Sequence, residues 1–108
     1  MKLNISERLV LLEILPKEGS LLTLRIIREL QNELSFSEEE LKEFNVRIEV
    51  HEGKIMARWD PGKENIEKDV PIGERATEII VRRLKEFDEQ KALTMRMMSV
   101  YEKFVEKP

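Results

Sequence analysis

The chain has 108 residues, of which 41% are hydrophobic and 38% charged, and its formal net charge is -3. That length and apolar share fit one domain around one core, and the acidic balance works against phosphate backbones without forbidding a local basic patch. There is no cysteine, which excludes disulfides, thiolate metal sites and thiol catalysis.

Residues 1–8 lack the plan of a signal peptide, and Glu13 breaks the apolar run 9–12. No stretch approaches the roughly 20 apolar residues of a membrane span, so cytoplasmic residence is expected. A first helix is predicted over residues 7–15. Ser6 is its candidate cap, with Ile5 packing on Val10 as a staple. Leu9, Leu12 and Ile14 are assigned to the core, while Leu11 and Leu15 extend the apolar surface toward a second neighbour. Pro16 ends the run because it lacks an amide and restrains its predecessor.

A second helix is predicted over 24–34, capped by Thr23, with Leu24, Ile27, Leu30 and Leu34 as its buried stripe. Leu21-Leu22 has an alternative reading as a short strand before the helix. The strongest local start signal follows. Ser37 caps, Glu40 completes the capping box, and Phe36 staples to Leu41. This third helix should be short and end near Phe44-Asn45, where asparagine tolerates the left-handed conformation.

Val46, Ile48 and Val50 alternate with Arg47 and Glu49, and Ile55, Ala57 and Trp59 alternate with Met56 and Arg58. This is a half-buried antiparallel hairpin, turned at 51–54 with Gly53 at positive φ. Ile66, Lys68 and Val70 suggest a third strand completing a small meander. The longest amphipathic pattern then runs over 72–87. Ile72, Ala76, Ile79, Ile80, Leu84 and Phe87 share one side, opposite Glu74, Arg75, Glu78, Arg82, Lys85 and Glu86. Gly73 is its cap. After 88–91 a last helix starts at Leu93-Thr94, with Met97, Val100, Tyr101 and Phe104 on its apolar face, and residues 106–108 frayed. The expected fold is α+β: three N-terminal helical segments, an antiparallel hairpin or meander and a C-terminal helical hairpin, partly winged-helix-like.

The phrases Leu15-Pro16-Lys17-Glu18-Gly19 and Leu34-Ser35-Phe36-Ser37-Glu38-Glu39-Glu40 resemble small uncharacterised phage or prophage proteins. The tail from Ala92-Leu93-Thr94 to Ser99-Val100-Tyr101-Glu102-Lys103-Phe104 is similar to them too. The resemblance implies a viral or prophage origin and a single small domain. It brings no activity and no catalytic residue.

His51 is the lone histidine and has no partner at metal-ligand spacing, so it reads as a solvated turn residue. Glu38, Glu39, Glu40 and Glu43 cluster on the third helix, where helix-dipole complementarity accounts for them better than a divalent-ion site does. Neither cofactor nor metal is expected, and no residue is assigned a catalytic role. The preferred reading is a noncatalytic phage-type accessory or protein-interaction domain that self-associates through the C-terminal helical hairpin, with Leu11, Leu15, Trp59 and Met98 as contact candidates. The alternative is a divergent winged-helix nucleic-acid binder using Arg75, Arg82, Arg83 and Lys85, although the acidic third helix occupies its recognition position. A small carboxylate-dependent enzyme is the third reading.

Overall fold

Asn4, not Ser6, opens the first helix of the computed structural model, which describes residues 1–106 except for the side chains of residues 51, 54 and 55. Residues 107–108, expected to fray, lie outside the described residues, as does the side chain of His51. In α1 (Ile5–Ile14), Asn4 accepts from the Glu7 amide while Glu7 reaches back to the Asn4 amide, forming a full capping box. Likewise Ser20, not Thr23, caps α2 (Leu21–Leu34). Leu21 and Leu22 are therefore the first helical turn, not a strand, and both are exposed. The third helix, α3 (Glu38–Phe44), matches expectation. Ser37 and Glu40 form the capping box, and Asn45 ends the helix at φ 52°.

Helix α1 is the centre of the body, with α2, α4 (Glu74–Glu89) and the C-terminal segment packed around it. That segment is a 3-10 turn (Met95–Met97), a short helix α5 (Met98–Tyr101) and a π turn (Glu102–Glu106). Because α1 has neighbours on several sides, it buries more than one stripe: Ile5, Val10, Leu11 and Ile14 are all enclosed. Leu11 is 0% exposed and Leu15 is also buried. Both belong to the core, which corrects their assignment as contact residues. The half-buried pair is instead Leu9 and Leu12. Ile27, Leu30 and Leu34 from α2, Ala76, Ile80 and Leu84 from α4, and Leu3, Val70, Val100 and Phe104 complete the core. Gly73 caps α4 as expected. The side chain of Thr94 makes no capping bond.

Of the hairpin and the meander that the sequence left open, the hairpin forms, and a second two-stranded sheet stands apart from it. Strand β1 (Lys2–Leu3) pairs antiparallel with β4 (Lys68–Asp69), with Leu3 opposite Lys68. The segment expected to extend the hairpin is thus claimed by the N-terminus. Strands β2 (Arg47–His51) and β3 (Lys54–Arg58) form the predicted hairpin, in the register Arg47 opposite Arg58 and Ile48 opposite Ala57. Its two-residue turn holds Glu52 at φ 51° and Gly53 at φ 79°. This is the pair of positive φ angles that matches the right-handed strand twist.

The core assignment of Leu11 predicts a large truncation cost. Leu11→Ala should destabilise the protein by about 2–5 kcal/mol, whereas Met98→Ala should stay within about 0.5 kcal/mol. Urea unfolding of the two variants checks this; equal midpoints would place Leu11 outside the core.

Candidate functional site

An arginine with almost no solvent contact sets where the exposed hairpin stands. Arg8 is 1% exposed. Its Nε donates to the Leu34 carbonyl at 3.1 Å and its Nη2 to the Ser35 carbonyl at 2.7 Å, satisfying the end of α2. Both terminal nitrogens also meet Glu40, at 2.6 and 3.2 Å, in a bidentate pair. The guanidinium lies over the Phe36 ring, 3.9 Å from its centroid. Glu40 simultaneously accepts from the Ser37 amide at 3.0 Å. One carboxylate thus caps α3 and ties it to α1.

Bonds to Arg8 hold the Glu40 carboxyl at a pKa of about 2, against the usual 4.5, even though burial opposes this; the Ser37 amide and the charge of Lys68 add to the effect. On the neighbouring position, buried Glu7 accepts from Lys103 at 2.8 Å, and Lys103 also donates to Glu67 and to the Lys2 carbonyl. Burial alone would lower the Lys103 pKa. Its hydrogen bonds to Glu7 and Glu67, with their charges, raise it instead.

From α3 the chain passes directly into the hairpin. The Val46 amide donates to the Leu41 carbonyl, the Asp60 amide to the Phe44 carbonyl, and Asn45 Nδ2 to Asp60 at 3.1 Å. The base of the hairpin is therefore clamped to the end of α3. Arg47, Glu49 and Arg58 share one face, where Glu49 and Arg58 pair at 2.7 Å. The opposite face is apolar. Val46 and Trp59 are half-buried at its base, but Ile48 is 66% and Val50 68% exposed. The expectation of a half-buried sheet thus fails toward the tip, because among the described residues no second layer covers that face. Between the hairpin and α1 lies a cleft of about 440 Å³, lined by Leu9, Leu12, Ile48, Met56, Ala57 and Trp59. Glu13 and Arg96, paired at 3.5 Å, stand at its polar rim.

Of the expected contact residues, Trp59 lies in this cleft. Met98 is 46% exposed in a different, smaller one beside Leu93 and Tyr101. Of the basic residues expected to meet nucleic acid, Arg82 and Arg83 line one groove together with Glu13, Glu18 and Glu86. Arg83 is committed to the fold: it donates to the Ile14 carbonyl at 2.8 Å, pairs with Glu86 and stacks on Phe87. Arg82 and Lys85 share their groove with Glu74, Glu78, Glu86 and Glu89. Arg75 lies along a neighbouring groove that also holds Glu29, Glu33 and Glu74. Among the described residues, no group of three or more His, Asp or Glu side chains is placed to hold a metal ion, and no helix is long and apolar enough to cross a membrane.

Sequence reasoning missed Arg8, Glu7 and Lys103. The capping signal at Ser37 identified Glu40 but could not show that an arginine 32 positions away shares it. Compared with family models, curated proteins and solved structures, the chain has no significant match.

The depressed Glu40 pKa implies stability that is present above about pH 4.5 and is lost as pH falls toward about 2. Glu40→Gln should lower stability by roughly 2–4 kcal/mol at pH 7, by stranding Arg8, and the deficit should shrink at pH 3. Urea unfolding at both pH values tests this; a constant deficit would show that the ion pair is not its origin.

Proposed function

We propose that the protein is a noncatalytic protein-interaction domain that docks a partner through the apolar face of its β2–β3 hairpin. The observation that carries this reading is the exposure of Ile48 and Val50 on a face continuous with Trp59 and the α1 cleft. A row of β-branched residues facing water on a clamped hairpin is a surface suited to contact rather than a part of the core. The resemblance of several helix starts to small phage or prophage proteins is in keeping with an accessory role. A nucleic-acid role is less favoured. The helix in the recognition position carries Glu38, Glu39, Glu40 and Glu43, and acidic residues interleave with the cations on α4.

Ile48 contributes little to the core, so Ile48→Asp should leave the fold intact while placing a charge on the docking face. Trp59, the single tryptophan, lines the same cleft and serves as a reporter. A purified partner should shift Trp59 emission to the blue with the wild type, and its affinity should fall by about tenfold or more for the variant, as expected of a central interface residue. A partner that binds both proteins alike would overturn the assignment of this face.

A further inference from the structure

We propose that the partner of the hairpin is a second copy of this chain, joined edge to edge through β2 about a two-fold axis at Ile48; this rests on the hairpin being the docking surface. Strand β2 is paired on one side only, with β3. The tight turn makes its adjoining rung, His51 opposite Lys54, a hydrogen-bonded one, and such rungs alternate along an antiparallel pair. Arg47 and Glu49 therefore turn their main-chain groups toward β3, while Ile48 and Val50 turn theirs to the outer edge. The Val46 amide is already given to the Leu41 carbonyl, so the open stretch is centred on Ile48 and Val50.

Charge selects one register for self-pairing. Centred on Ile48, the two strands place Ile48 against Ile48 and Val46 against Val50. Arg47 then falls opposite Glu49 twice, once on each side of the axis. Those two rungs are of the non-hydrogen-bonded kind, in which side chains come closest, and opposite charges there are favourable. A shift of the axis to Glu49 sets glutamate against glutamate, and a shift to Arg47 sets arginine against arginine. Within one chain Glu49 pairs with Arg58 and Arg47 lies 3.9 Å from Asp60. The symmetric contact adds to this lattice of alternating charge. A two-stranded hairpin is marginal by itself. The pairing turns two such hairpins into one sheet of four strands with their apolar rows side by side.

Sedimentation velocity across concentration, with the Arg47→Glu and Glu49→Arg variants alone and mixed, tests the register. The wild type should dimerise. Each variant alone meets only like charge across the axis and should dimerise about tenfold or more weakly. Their equimolar mixture restores both pairs and should recover the dimer, as should the double variant, with far-UV circular dichroism confirming the fold of each. In the wild type, the Ile48 and Val50 amides should gain protection from hydrogen exchange as concentration rises. Single variants that dimerise like the wild type, or a mixture that stays monomeric, would overturn the register. A wild type that stays monomeric at millimolar concentration, yet binds another protein in an Ile48-dependent way, would overturn self-pairing and leave the docking face standing. Loss of both would sink the docking face as well.

Discussion

The buried guanidinium of Arg8 is the constraint on which the arrangement of the N-terminal half depends. Removing a full charge from water costs several kcal/mol unless every donor is met. Here each of the three nitrogens is met by a group that has its own need for a donor. The carbonyls of Leu34 and Ser35 stand at the end of α2, and the Glu40 carboxylate sits at the start of α3. The arginine therefore fixes three segments at once, and any displacement of one strands the charge for all. Ion pairs of this kind are weak evidence for stability against an apolar alternative, but they discriminate strongly among arrangements of the same chain. Glu7 works in another direction from the next position on the helix, reaching the C-terminal segment through Lys103. Successive residues on a helix point about 100° apart, so one turn of α1 holds both the early helices and the end of the described chain.

What was legible in the sequence was mostly local. The Ser37 box, the left-handed Asn45, the tight turn at Gly53 and the stripe of α4 each depend on residues within one or two turns of each other. The misplaced starts of α1 and α2 arose where two capping residues lie two or three positions apart. Asn4 wins over Ser6 and Ser20 over Thr23 because an earlier cap lets a nucleated helix add residues at low further cost. In α1 the apolar residues surround most of the helix, so periodicity could not say which of Leu9, Leu11, Leu12 and Leu15 is enclosed. The number of neighbours decided it. The β1–β4 pairing joins residues 2–3 to 68–69. Two-residue strands carry no pattern long enough to read.

The hairpin shows a further limit of sequence patterns. Alternation states which side chains share a face, and Val46, Ile48 and Val50 do. It is silent about what lies over that face. The usual inference that an apolar face is a buried one assumes a second layer. Here the helices are occupied around α1, and the second sheet forms elsewhere from the N-terminus and β4. The hairpin stands outside the buried core cluster, and its Ile48, Met56, Ala57 and Trp59 share with Leu9 and Leu12 of α1 the cleft between them.

These two features are linked through α3. A floppy hairpin with an apolar face would be an aggregation hazard, since an unpaired edge accepts many strands. Arg8 fixes Glu40, Glu40 fixes the start of α3, and α3 ends in the contacts that clamp both arms of the hairpin at Asn45 and Asp60. The base of the edge is thus held in place, and in the self-pairing proposed above its Arg47 and Glu49 would disfavour other registers. A buried charge at the centre and an ordered charge pattern at the edge serve the same end, which is to leave few ways for an exposed apolar row to be used.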